Sequence, residues 1–489
     1  KSLTYVFSTA FPNNPGSMFG HTFIRINGKP VKGQKHMELF DHGISYAALT
    51  PEGFSGMEMV IKGLFGLYPG FFSSPLYYEK IAEYTHFDSR DLWEYSLDFS
   101  EEETDLFIKA AWEVANNGYF DYYFFDENCS FRLLELVEVA RPGSGLLSEL
   151  RFAEVPVNTV RALDEREIIS RRYYRPSKSV ELDNLRLQLN ASQQKLARAL
   201  ADDPGLAKSS AFLAEPAETR AIMAAVAYRY IRLTHRKEQR TPAVAKRSFT
   251  LLTLINSLPA VPVPETEHPE PPEKGHGTQM LGVSGGQREG ELDFGELTYR
   301  LTYHDLLDNQ YGFLRGAQIE GLDMTLRSTE SGQVKLEELD VVSIRSLAPR
   351  NRFMKPLSWY VEGGLERTWA GRRRLVRYMQ GGAGGSWLWR NWQPYLLTSV
   401  RMENNSEFGT FLTPGAGLDT GIVYHRGDWQ WQLGGVGHYF TNDEYRYTSQ
   451  FAVQWAMTRQ HGLRASLARE NRRGGYDDEF KLQWRWYYD

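Results

Sequence analysis

One pattern in the C-terminal half constrains the fold more than any other feature of the chain. In "EFKLQWRWYYD", Phe480, Leu482, Trp484, Trp486 and Tyr488 alternate with Lys481, Gln483, Arg485 and Tyr487. "LSWYVEGGL" sets Leu357, Trp359, Val361 and Leu365 on one side, and "DWQWQLGG" sets Trp429, Trp431 and Leu433 opposite Gln430 and Gln432. "YTSQFAVQWAM" does the same with Phe451, Val453, Trp455 and Met457. Period two marks a strand with two unlike faces. About twelve such segments lie between Gly277 and Asp489, each roughly ten or more residues long and separated by short turns such as "HRGD" and "NRRGG". A soluble sandwich alternates too, but with strands of about five or six residues. Strands that cross a bilayer run to about nine to eleven, with aromatic girdles at both interfaces. The strand length and the aromatic ends favour an antiparallel transmembrane β-barrel of about twelve strands. A barrel of that size has a narrow, side-chain-filled lumen, so an anchor is expected rather than a diffusion pore. Both its ends are expected in the periplasm, where short turns lie, and with them everything that precedes it.

The rest of the chain divides by texture. Residues 1–175 read as mixed α and β: strands at Leu3–Phe11, His21–Gly28 and Met37–Tyr46, with the Asn27-Gly28 turn signal between the last two. A helix is expected over 100–117, with Ser100 as N-cap. In "FDYYFFDENCSFRLLELVEVA" an aromatic, strand-like half precedes a helical half. Residues 176–258 have a helical pattern, with Pro216 placed for a helix start. Residues 259–276 are Pro-rich and charged, which predicts an extended, semi-rigid linker. The barrel then occupies 277–489.

The net charge of −5, with acids and bases well mixed, argues against nucleic acid as a partner. No run of about 18 apolar residues suggests a transmembrane helix. The chain starts at Lys1 without a signal-type segment, the expectation when a targeting segment has been removed. There is no H-x-x-x-H or C-x-x-C spacing, so neither a metal nor a cofactor is expected. "GVSGG" at Gly282–Gly286 falls in the barrel rather than at a strand–helix turn, which argues against a serine nucleophile.

Cys129 is the single cysteine. In an oxidising compartment a lone thiol is either buried as a small hydrophobe or kept for its chemistry. It stands where a helix begins, after Asn128, a residue type suited to N-capping. A helix N-terminus lowers a thiol pKa, and a histidine base would activate it further. His21 follows a Gly at the start of a strand, beside the loop "PNNPGS". A third group should orient it. His42 is one candidate; Asp41 and Ser45 are alternatives, and alternation places these two on the opposite face from His42.

"FGHTFIRI", followed about a hundred residues later by "ENCSFRLLELVE", resembles the Lnb N-terminal periplasmic domain family. The resemblance covers about residues 1–175. It implies an α+β fold of the circularly permuted papain/NlpC type, with His before Cys as in lecithin:retinol acyltransferase-like proteins. It implies Cys129 as nucleophile and His21 as general base, with Asn128 and Arg132 matching an N-C-x-x-R pattern at the substrate and oxyanion. The implied activity is acyl transfer in lipoprotein remodelling. The expected protein is thus a periplasm-facing, outer-membrane-anchored cysteine acyltransferase or acyl hydrolase acting on lipoproteins or phospholipids. A cell-wall amidase or cysteine peptidase is the alternative enzyme. An outer-membrane transport or assembly protein without chemistry is the other.

Overall fold

The computed structural model describes residues 1–489 except 11–17, 30–35, 50–61, 64–65, 124–127, 150–153, 237–240, 262–267, 290–292, 330–331, 371, 409–410 and 473–474. The loop "PNNPGS" and part of the Pro-rich segment lie outside the described residues.

The N-terminal region is a seven-stranded antiparallel sheet: β1 (Ser2–Ser8), β2 (His21–Asn27), β3 (His42–Ala48), β4 (Tyr68–Ser73), β5 (Leu92–Leu97), β6 (Phe120–Tyr122) and β7 (Ile169–Arg175). Their spatial order is β6-β4-β3-β2-β1-β5-β7. β3 starts later than its sequence pattern suggests, because Glu38–Phe40 forms a 3-10 turn. On one face, Leu3, Tyr5, Ile24, Ile44 and Tyr46 form a core with the helices Glu101–Asn117, Cys129–Ala140 and Pro156–Glu165. On the other face Val6, Phe23 and Leu92 meet Tyr77 and Tyr84. Tyr84 belongs to a π-helical turn, Ala82–Phe87. The aromatic stretch Gly63–Tyr78 splits, within its described part, between β4 and the helix Tyr77–Ile81, and it buries Tyr68, Phe72 and Tyr77. The helix over Glu101–Asn117 starts where expected: Ser100 Oγ accepts from the Glu103 N–H, and Glu103 reaches back to the Ser100 N–H.

Residues 178–256 form a helical layer with its own core, in which Leu182, Leu200, Met223 and Leu251 are buried. Beyond it, twelve long strands from Gln279–Arg288 to Gly475–Tyr488 close into an up-and-down barrel, the first pairing with the last. The alternation separates outside from inside. Trp484 is 39% exposed and Trp486 40%, while Arg485 between them is 2% exposed. The interior is filled with ion pairs. Arg345 lies 2.7 Å from Asp419 and 3.0 Å from Glu362, and Arg401 lies 2.7 Å from Glu403. Closure leaves no edge strand, and an apolar exterior over a paired polar interior is what a bilayer demands.

The lumen is plugged. In the connection 305–316, Leu306 packs on the inward residues Leu347, Tyr360, Tyr395, Leu397 and Val423. Asp308 accepts from Arg300 at 2.7 Å and from the Tyr487 hydroxyl at 2.6 Å. The pocket left in the lumen beside the plug, lined by Asp305, Glu320 and Asp340, is about 270 Å³. The expectation of short turns at the periplasmic end fails here. The longest connections, 305–316 and 347–357, lie at the end facing the N-terminal region, and the far end carries tighter ones such as 441–444. The physical reason is that these two connections are buried against the lumen and the helical layer, so they need length to reach them. Ser284 of "GVSGG" donates to Glu296 across a strand pair, at 3.0 Å, and forms no nucleophile elbow.

The described end of the Pro-rich segment is docked, which corrects the expectation of an extended linker. Pro272–Lys274 is a 3-10 turn, and the buried Glu273 accepts from the Tyr95 hydroxyl at 2.6 Å and from Arg172 Nε at 2.7 Å. Arg161 bonds Asp489 at 2.7 Å and the His276 carbonyl at 2.6 Å. Phe19 meets Tyr303 edge-to-face at 5.6 Å, and Tyr303, Ile319 and Ile344 of the barrel join the N-terminal core. Glu273→Ala leaves the Tyr95 hydroxyl without its acceptor, while the part-exposed Arg172 keeps Asp164, and should loosen this joint by about 1–2 kcal/mol. Hydrogen exchange in 268–277 should then accelerate while barrel amides stay protected; unchanged exchange would show that Glu273 does not hold the joint.

Candidate active site

Asn128 caps the helix Cys129–Ala140. Its Oδ1 accepts from the N–H groups of Ser130 (3.0 Å) and Phe131 (3.3 Å) and from the Ser130 hydroxyl (2.7 Å), and its Nδ2 donates to the Glu154 carbonyl at 2.6 Å. The cap seats Cys129 on the first turn, against the start of β2. The thiol is 3% exposed. It meets the backbone N–H of Thr22 and the phenol of Tyr122. The Tyr122 oxygen also takes the backbone N–H of Cys129.

His21 stands one residue before Thr22, after Gly20. Gly20 has φ of +105°, and a Cβ there would sit 2.7 Å from the Phe7 ring, so the turn into β2 requires glycine. His21 is buried, with Nε2 3.4 Å from Ser45 Oγ and its ring 5.8 Å from that of Tyr84. Alternation explains the arrangement. Thr22 and Ile24 face the Cys129 helix, whereas His21, Phe23 and Ser45 face the Tyr84 side. His21 and Cys129 therefore flank the start of one strand. Among the described residues the imidazole bonds Ser45 and makes no hydrogen bond to the thiol.

Of the three candidates for orienting His21, the structure brings Ser45 within hydrogen-bonding distance and leaves His42 and Asp41 with other partners. His42 is exposed at the start of β3, where its Nδ1 takes the Ser74 hydroxyl at 3.4 Å. Asp41 is occupied by the Gly28 N–H (3.0 Å) and His36 (2.9 Å). The assignment of Asn128 and Arg132 to the oxyanion is corrected as well. The Asn128 amide serves the cap and Glu154. The Arg132 guanidinium lies 4.2 Å over the Phe120 ring and pairs with Glu135 at 2.8 Å, so it braces β6 against the helix. The residue that sequence reading missed is Tyr122. Stacked on Tyr46 at 5.6 Å, it presents its hydroxyl where the thiol and the first helical N–H converge. Its only sequence signal was the aromatic run before Cys129.

Burial sets the electrostatics. It pushes the Cys129 thiol above its ordinary value, and contacts with Thr22, Tyr122 and the buried Arg90 offset this only in part. His21 is held well below its ordinary value, first by burial and then by the charges of Lys80 and Arg90. The resting site is thus a neutral thiol beside a neutral imidazole, which is the protonation state a general base needs. One further cluster brings ligand-type atoms together: those of His276, His304 and Asp308 lie within 4.8 Å of one another. Hydrogen bonds already use them. His276 gives Nδ1–H to the Gly277 carbonyl (2.6 Å), Nε2 meets His304 Nδ1 (3.0 Å), and Asp308 holds Arg300. Chain separation hid this cluster from spacing rules.

For a raised thiol and a depressed imidazole, alkylation of Cys129 by iodoacetamide should rise continuously with pH from 6 through 9. A plateau near neutrality would instead indicate a preformed thiolate–imidazolium pair.

Three family models match the chain. The Lnb N-terminal periplasmic domain matches residues 1–166, and two domains of unknown function match residues 172–260 and 269–487. No curated protein matches the chain. Among solved structures, the KdgM porin is 12% identical over 43% of this chain and 99% of its own, with a TM-score of 0.25. Outer membrane phospholipase A from Escherichia coli is 13% identical over 44% of this chain and 98% of its own, also with 0.25. An outer membrane channel from Pseudomonas putida F1 is 12% identical over 47% and 99%, with 0.28. At these scores none of them bears on what this chain does. Residues 1–166 match the Lnb N-terminal periplasmic domain, and with the closed twelve-strand barrel behind that domain the chain is an outer-membrane protein.

Proposed function

We propose that the protein is a thiol-dependent acyltransferase or acyl hydrolase acting on phospholipid or lipid-modified protein at the periplasmic leaflet. The observation that carries this reading is the convergence at Cys129. A helix-start thiol, its own N–H and the Tyr122 hydroxyl meet at one point, with the Ser45-bonded His21 across the strand.

Cys129 Sγ attacks the ester carbonyl carbon while His21 takes the thiol proton. At rest the imidazole lies on the Ser45 side of the strand, so substrate binding must turn it past the strand start to reach the thiol. The oxyanion accepts from the Cys129 N–H and from Tyr122, whose hydroxyl turns from sulfur to oxygen. Collapse breaks the C–O bond, and the departing alkoxide takes the proton from His21. The thioester is then attacked by water, giving a fatty acid, or by an amine, giving an amide. His21 accepts the nucleophile's proton and returns it to the thiolate. Ser45 holds the imidazole in the resting state.

The same steps on an amide describe the peptidase alternative. The plugged lumen weighs against a passage for solutes, and it suits an anchor. Aromatic residues at the barrel end nearest the N-terminal domain, including Trp389, Trp429 and Trp486, mark the level of the leaflet interface. An ester bond at that level lies within reach of a domain docked on the rim.

The test is release or transfer of a deuterated acyl chain from phospholipid vesicles holding the full chain. Cys129→Ala should abolish it. Tyr122→Phe should lower kcat about 10²-fold with KM little changed, the effect of losing one oxyanion donor. Turnover by Cys129→Ala, or wild-type cleavage confined to cell-wall peptides, would overturn the reading.

A further inference from the structure

A groove runs between the π-helical turn Ala82–Phe87 and the helical layer. Two adjoining compartments, about 520 and 560 Å³, share His86, Lys178, Ala225, Arg229 and Val261. Each falls in the size range of small-molecule sites. The larger part of the first compartment's wall is apolar: Phe87, Leu233, Leu252 and Ile255. Its polar part is cationic, with Arg229, Arg232, Arg236 and Lys178.

These cations differ in their partners. Lys178 and Arg229 both pair with Glu181, Lys178 at 2.6 Å. Arg236 is tied to the groove wall by backbone carbonyls, donating to Phe87 at 2.9 Å and to Leu233 at 2.8 Å. Among the described residues neither Arg232 nor Arg236 has a carboxylate within ion-pairing distance. Among the described residues the groove therefore offers a long apolar floor and two guanidinium groups without a direct carboxylate partner, Asp88 acting on Arg236 from farther away. That combination suits an amphiphile with an anionic head, since guanidinium groups pair phosphate oxygens well.

Position narrows the occupant. The helical layer rests on the barrel rim through Phe353, whose ring lies 5.7 Å from that of Tyr230, and through Asn351, which donates to Asp183 at 3.3 Å. Tyr230 lies on the same helix as Arg229 and Arg232. Leu252 and Phe249, three residues apart on one helix, are exposed beside the groove, with Phe249 71% exposed. The helix that walls the groove thus also touches the barrel rim. Its wall is also the active-site wall, because Tyr84 of the π-helical turn packs on His21.

We propose that this groove binds a glycerophospholipid from the periplasmic leaflet, its phosphate on Arg232 and Arg236 and an acyl chain along Leu233, Leu252 and Ile255. Binding there does not require the thiol, so it stands or falls separately from the chemistry proposed above.

The test uses the full-length Cys129→Ala chain in phosphatidylethanolamine vesicles doped with phosphatidylglycerol that bears a diazirine within one acyl chain. After illumination, labelled peptides are mapped by mass spectrometry. Label is expected on the peptide carrying Leu252 and Ile255, besides the outward barrel residues. Arg232→Glu with Arg236→Glu should reduce the groove label about tenfold, one decade of affinity, and leave the barrel label unchanged as evidence of folding. Leu252→Trp, which fills the floor without altering charge, should reduce it as well. Label confined to the barrel overturns the proposal. So does groove label that survives charge reversal, or that a diazirine diacylglycerol without phosphate gives equally.

Discussion

Everything in this molecule depends on one joint, where Arg161 ties the N-terminal domain to the barrel. Its guanidinium bonds Asp489 at the end of the last strand and the His276 carbonyl just before the first. Glu273 adds Tyr95 and Arg172 from the neighbouring strands β5 and β7. Such buried charge pairs contribute little net stability but are costly to break singly, so they define a geometry more than a stability. The geometry they define puts a catalytic-type sheet directly on the rim of a membrane anchor. A freely swinging domain would sample the whole periplasmic volume; a docked one keeps Cys129 within reach of one leaflet.

The same burial that fixes the domain shapes the thiol. A helix N-terminus favours the thiolate, and capping by Asn128 puts Cys129 there. Desolvation outweighs that effect and leaves the thiol protonated at rest. A protonated, enclosed thiol resists oxidation in the periplasm, where a thiolate would be exposed to disulfide exchange. In the proposed reaction, activation belongs to the complex, and the lowered pKa of His21 leaves it neutral and able to act as base. Tyr122 connects the two conditions, since it bonds the sulfur in the resting state and stands ready at the oxyanion position.

The parts legible in the sequence were those where a short pattern carries a physical demand. Alternation from Phe480 to Tyr488 separates lipid from lumen at every residue, so the barrel could be read strand by strand. Ser100 and Asn128 announce their helices because capping uses side chains only two or three positions away. The choice between His42 and Ser45 was out of reach, since it depends on which face meets His21 across the β2–β3 pairing. Tyr122 sits on a three-residue strand within an aromatic run, where no period can form. Glu273 was read as linker because its partners lie about a hundred residues or more away in the chain. The plug at 305–316 is similar: its fit depends on residues such as Tyr360 and Tyr487 on distant strands.

The most direct measurement is the intact mass of the full-length chain after incubation with phospholipid vesicles and acid quench. The account predicts a fatty-acyl adduct on Cys129, removed by hydroxylamine and absent from Cys129→Ala. An unmodified chain under conditions where acyl chains are nonetheless released, or an adduct that persists in Cys129→Ala, would contradict a thioester at this residue.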